Sequence, residues 1–252
     1  GDPLVEIVGS SNRHIKAEDE LIIQGHSQIN YCSSTSTTTS TTASSSKKDG
    51  LYYYWSIYSG DIVIPTIASR SKNPLLLHLH SYTLEANKEY VARLEVYHQS
   101  DSSSNNNVGY GMTEVRIKVL SSPLVAIITG GTKKSLIPHQ RLLVDASSTY
   151  DPSIAPEYRN NVQFNNIGKF QFSISCSQEL PLLSDSCPFI NIDRYNSSWS
   201  GKYYIMNSGK DTYDIHHNFV PSVSRLTITI TSPSSGTVST RTTITDVWIT
   251  TA

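Results

Sequence analysis

Met112-Thr113-Glu114-Val115-Arg116-Ile117-Lys118-Val119 alternates at every step, with Thr113, Val115, Ile117 and Val119 on one face and charges at Glu114, Arg116 and Lys118 on the other. A period of two with one apolar face is the pattern of a strand half-buried in an antiparallel sheet. Working outward, Tyr90-Val91-Ala92-Arg93-Leu94-Glu95-Val96 repeats it, with Tyr90, Ala92, Leu94 and Val96 inward. In the second half of the chain Phe170, Phe172, Ile174 and Cys176 share a face, as do Leu226, Ile228 and Ile230. Turn-forming residues at 59–61, 73–74 and 232–236 punctuate these runs, and no long helical period competes with them. Many short strands separated by turns predict an all-β sandwich.

Composition agrees. The 252 residues include 15 tyrosines and few strong helix formers, and only 16% are charged. Lys and Arg total 20 against 21 Asp and Glu, so the chain lacks the basic field that nucleic-acid binding needs. No stretch approaches the roughly 18 apolar residues of a membrane-spanning helix, so no membrane insertion is expected within this segment. The chain begins at Gly1-Asp2-Pro3 with no leader-like run, as a processed chain or an excised segment would.

An internal repeat sets the domain plan. Pro3-Leu4-Val5-Glu6-Ile7-Val8-Gly9 recurs as Pro123-Leu124-Val125-Ala126-Ile127-Ile128-Thr129-Gly130, and Leu21-Ile22-Ile23-Gln24-Gly25-His26-Ser27 recurs as Leu142-Leu143-Val144-Asp145-Ala146-Ser147-Ser148. Two copies imply two tandem domains, residues 1–121 and 122–252, joined by the short Ser121-Ser122-Pro123. Residues 33–46 interrupt the first copy as a Ser/Thr-rich insertion, with thirteen of fourteen positions Ser or Thr. Such a tract has nothing to bury. It reads either as a plain polar loop or as an O-glycosylated tuft on Thr35, Thr37, Thr38, Thr39, Thr41 and Thr42.

The phrases Ile128-Thr129-Gly130-Gly131 and Leu142 through Pro152 resemble the strand and turn of polycystic-kidney-disease (PKD) domains and of the receptor-for-egg-jelly (REJ) region. Tyr54-Trp55-Ser56-Ile57-Tyr58-Ser59-Gly60 resembles the aromatic-Trp strand of PKD-like domains, and Tyr82 through Val96 their penultimate-strand signature. The resemblance implies an Ig-like sandwich (PKD- or fibronectin-III-like) in each copy. Copy one departs from it with Gln24 and Asn30 where copy two has Asp145 and Asp151.

Physical roles follow for the signature residues. Trp55 fills space between sheets, burying on the order of 200 Å2. Tyr90, ahead of its strand, suits a tyrosine corner. Asp145 and Asp151 suit Asx turns. The alternative for the two carboxylates is calcium, which takes about six to eight oxygens; two aspartates alone do not supply them, and no cofactor is assigned. The resemblance also implies a disulfide between Cys176 and Cys187, since REJ-like segments carry a cysteine pair just after the core-aromatic strand. Two buried thiols are the alternative. Cys32 is left over, either free or bonded to another chain.

Asn196-Ser197-Ser198 is an N-glycosylation sequon. Enzyme chemistry finds little purchase: no nucleophile-elbow, phosphate-loop or dinucleotide fingerprint occurs. His78-Leu79-His80 puts two imidazoles on one strand face, as zinc-binding strands do, but no third ligand stands at useful spacing. The plainer reading has both lining a polar face opposite Leu75, Leu77 and Leu79. His216-His217 near Asp211 and Asp214 is a weaker metal candidate. Tyr52, Tyr53, Tyr54 and Tyr58 raise a glycan-binding reading, with Tyr53 inward beside Trp55 and Tyr52 and Tyr54 outward.

The expected function is non-enzymatic: a structural or adhesive module pair from a larger secreted or cell-surface glycoprotein, acting as spacer or assembly unit. Its expected partners are neighbouring β-sandwich modules of the same or another chain. The resemblance adds a ciliary or gamete-surface setting. The competing class is a carbohydrate- or protein-ligand-binding module.

Overall fold

A computed structural model describes residues 2–29, 50–99, 108–137, 141–159, 170–180, 183–187, 190–193, 201–207, 222–232 and 241–251. The chain divides into two compact units, Gly1–Ser121 and Ser122–Ala252.

The first unit contains β1 (Pro3–Ile7), β2 (Asn12–Lys16), β3 (Leu21–Ile29), β4 (Leu51–Ser59), β5 (Ile62–Val63), β6 (Leu76–Leu79), β7 (Glu89–Gln99) and β8 (Val108–Leu120). One sheet has the order β1-β3-β6 and the other β2-β8-β7-β4-β5. Alternation decides which side chains meet. Leu21 and Ile23 of β3 and Leu77 and Leu79 of β6 pack with Ile57, Ala92, Val115, Ile117 and Val119 of the second sheet in one buried cluster. Two sheets sharing a core make a sandwich. Val115, Ile117 and Val119 are buried while Glu114, Arg116 and Lys118 are exposed, as their alternation predicts. Gly25 sits where the sheets approach closely, since a Cβ there would collide with Leu94 Cδ2.

The second unit contains β9 (Lys133–Leu136), β10 (Arg141–Asp145), α1 (Pro156–Arg159), β11 (Gln171–Leu180), β12 (Ile190–Asp193), β13 (Lys202–Asn207), β14 (Val223–Thr231) and β15 (Thr242–Thr251). Its sheets run β10-β13-β12 and β11-β14-β15-β9. Val144, Tyr203 and Ile205 from the first meet Phe172, Leu226, Ile228, Ile230, Val247 and Ile249 from the second.

Both units split their opening segment between sheets. β1 pairs antiparallel with β3, whereas β2 pairs parallel with the last strand, Asn12 opposite Arg116 through Lys16 opposite Leu120. In the second unit β9 likewise runs parallel with β15, Lys133 opposite Trp248 through Leu136 opposite Thr251. The repeat is less complete than its sequence suggests. The counterpart of β1 shrinks to one bridge, Val125 with Tyr150, and its end turns at Gly130 and Gly131 with φ of 75° and 84°. β10 stops at Asp145, where the carboxylate takes the Ser147 N–H, while β3 continues to Ile29.

Candidate functional site

The signature residues hold the two scaffolds together. Trp55 packs against both apolar clusters of the first unit and donates its indole N–H to the Pro74 carbonyl at 3.1 Å. Buried Tyr90 accepts the Glu85 N–H at 3.1 Å through its hydroxyl, a side-chain anchor for the turn that leads into β7. Asp145 accepts the Ser147 N–H at 2.8 Å. Burial alone raises its pKa, but hydrogen bonds from Ser147 and the Lys202 ammonium outweigh that and hold the carboxyl below its ordinary value. Asp151 accepts the Ser153 N–H at 2.9 Å and receives the Arg241 guanidinium on both oxygens. Arg241 also donates to the Ser122 carbonyl at 2.7 Å, and Ser122 donates its N–H to Ser153 Oγ. Asp151 is thus spent on a clasp that fixes where the second unit begins.

Cys176, on β11, and Cys187 form a disulfide with a Cα separation of 5.7 Å. Inside that loop Gln178 and Ser184 exchange two backbone hydrogen bonds, so the crosslink closes a small ladder.

The outward face of β4, β7 and β8 carries a set of aromatic side chains. Register places Tyr52, Tyr97 and Tyr110 in one row across the three strands, and Tyr54, Glu95 and Met112 in the next. The Tyr97 ring lies 5.8 Å from Tyr54 and 5.2 Å from Tyr110, centre to centre. Tyr52, Tyr54, Tyr110 and Met112 are 51, 56, 42 and 51% exposed. The Tyr110 hydroxyl donates to Glu95 at 3.0 Å; desolvation and that bond raise its pKa. One row further on, Arg93 pairs with Glu114 and stacks 4.5 Å over Tyr58. Tyr53 points inward to Ser27, as alternation predicts. Tyr97 and Tyr110 were missed from sequence because they join Tyr52 only through the β4-β7-β8 register, although each was legible as an outward position on its own strand.

On the other sheet, His78 and His80 project away from buried Leu77 and Leu79, and Glu20 stands between them. The carboxylate is held below its usual pKa by hydrogen bonds with His78 and then His80. This third polar partner lies 58 positions from His78, beyond the reach of spacing arguments. Cys32, the six threonines Thr35–Thr42, Asn196 and the His216-His217 pair lie outside the described residues. Among the described residues no helix is long and apolar enough to cross a membrane.

Paired sheets around a buried core in each compact unit, with a disulfide in the second, define an all-β sandwich protein. The chain belongs to the REJ domain family, whose model matches residues 37–250. As a member of that family the chain is an extracellular or cell-surface module. No curated protein matches the sequence. Among solved structures it is similar to the three N-terminal domains of the outer capsid protein Hoc of bacteriophage RB49 (9% identity, 99% of this chain and 69% of that one, TM-score 0.31). It is also similar to the protocadherin GammaB4 extracellular domain (11%, 99% and 33%, TM-score 0.32) and to Drosophila N-cadherin EC1-4 (9%, 100% and 51%, TM-score 0.32). The chain thus spans about a third and about half of those two cadherin-type chains. With scores this low the fold assignment rests on strand register and core packing instead.

Proposed function

We propose that this chain is a load-bearing spacer within a larger cell-surface or secreted glycoprotein, made of two tandem β-sandwich domains meeting near Ser121. The observation that carries the reading is the parallel pairing of the opening and closing strands in each unit, β2 with β8 and β9 with β15. Tension along the chain pulls Asn12 toward the N-terminus and Leu120 toward the C-terminus. Because those strands run parallel, the ladder is loaded along its length and its bonds must fail together, whereas a hairpin pulled from its open end fails bond by bond. Resistance to force is a matter of unfolding rate, which such a clamp lowers. Stretching single molecules by their termini tests this: high unfolding forces support it and low forces contradict it. The proposed setting is a ciliary or gamete surface, with sugar on the Asn196 sequon and along the Ser/Thr tract.

A second reading has its own support. The row of Tyr52, Tyr97 and Tyr110 with Tyr54 beside it is a half-exposed aromatic surface of the kind that contacts sugar rings or docks on another protein. In this reading the first unit is a ligand-binding module. Glycan-array binding by the wild type, lost in Tyr54→Ser/Tyr110→Ser, would favour it; equal signals from both proteins would remove it.

A further inference from the structure

Glu20, His78 and His80 come together because of how two strands pair. β6 is an edge strand whose Leu77 and Leu79 enter the core, so His78 and His80 emerge on the outer face two positions apart. β3 runs antiparallel to it with Leu21 opposite Leu79, which brings the preceding residue, Glu20, level with His80 and within reach of His78. His78 Nε2 lies 3.3 Å from Glu20 Oε2, and His80 Nδ1 lies 3.6 Å from Glu20 Oε1. One ligand atom from each residue falls within 4.8 Å of the other two.

A tetrahedral zinc ion with arms of about 2.0–2.1 Å holds its ligand atoms about 3.3–3.4 Å apart. His78 Nε2 is already at that spacing from Oε2, and His80 Nδ1 stands 3.6 Å from the other oxygen, so side-chain rotation that turns one carboxylate oxygen toward both imidazoles closes the set. We propose that Glu20, His78 and His80 form a zinc-ion site on the first unit, with water in the fourth position. The donor chemistry selects the ion: two imidazole nitrogens and one carboxylate suit zinc and its first-row neighbours, whereas calcium needs about six to eight oxygens. The side chains of His78, His80 and Glu20 are 30, 45 and 52% exposed, so an ion enters from solvent without opening the fold. None of the three serves the core. Strand register brings them together, and without metal the cluster is one His78–Glu20 hydrogen bond and a longer His80–Glu20 contact.

The test is calorimetric titration of the whole chain with zinc chloride, against His78→Gln/His80→Gln and Glu20→Gln, with circular dichroism to verify folding. Other histidines and Cys32 offer further donors, so a zinc event counts only where these variants change it. The expected result is one zinc event in the wild type, absent from the double variant, weakened about tenfold or more in Glu20→Gln, and not reproduced by calcium chloride. If the double variant fails to fold, His80→Gln carries the test, since His80 lies just beyond β6 and its loss leaves that strand intact. No zinc event in the wild type, or one unchanged in these variants, overturns the proposal and leaves only the hydrogen bonds.

Discussion

Arg241 grips Asp151 through both carboxylate oxygens across 90 positions of sequence, with the Asp151 side chain 6% exposed. The same guanidinium reaches the Ser122 carbonyl, so one side chain ties the first residue of the second unit to its far loop. Removing one member of such a pair strands the other charge in a nearly dry site. Arg241→Ala should therefore cost about 3–5 kcal/mol. Urea denaturation followed by circular dichroism checks this, and a loss under about 1 kcal/mol would mean that the pair is solvated.

Tyr90→Phe removes one oxygen and strands the Glu85 N–H that it accepts. The expected cost is about 1–2 kcal/mol, confined to the first unit. Thermal melts of the isolated variant and wild type measure it. A null effect would show that water replaces the hydroxyl.

Cys176→Ser/Cys187→Ser opens a loop of 11 positions and should destabilise the second unit by about 2.5–3 kcal/mol on the chain-entropy model. Peptide mapping without reductant is the companion measurement: these two cysteines should be linked to each other, and a link from Cys32 to either would contradict the pairing.

Asp145 supplies a pH dependence whose sign is fixed. Its folded pKa lies below the ordinary aspartate value of about 3.9, so its contribution is present above that pH and disappears as pH falls through the lower, folded value. Asp145→Asn should therefore lower the urea midpoint at pH 7, with the gap to wild type closing in acid. A gap that stays constant with pH would deny the charge any part.

Where these interactions were legible in the sequence depends on their range. Val115, Ile117 and Val119 announced their face through local alternation, and Tyr90 and Trp55 stood in recognisable phrases. Asp145 was readable because an Asx turn spans two residues. Arg241 was not, since no local pattern marks a guanidinium that travels 90 positions to Asp151. Glu20 was hidden for the same reason: strand pairing alone brings it to His78. The opening strand of the second unit reduces to one bridge, Val125 with Tyr150, although both copies turn at a positive-φ glycine, Gly9 and Gly130, and no local pattern foretells the loss.

The spacer reading stands or falls on the direction in which each unit resists force. Single molecules stretched between the termini should show two unfolding events at forces well above those seen when the first unit is pulled between Val63 and Leu120, a geometry that leaves the β2-β8 ladder out of shear. Reduction of the disulfide should also lengthen the event that belongs to the second unit by roughly 30–35 Å, the extended span of the 11 positions less the 5.7 Å already bridged. Equal forces in both pulling directions, or low forces from the termini, would contradict a load-bearing role.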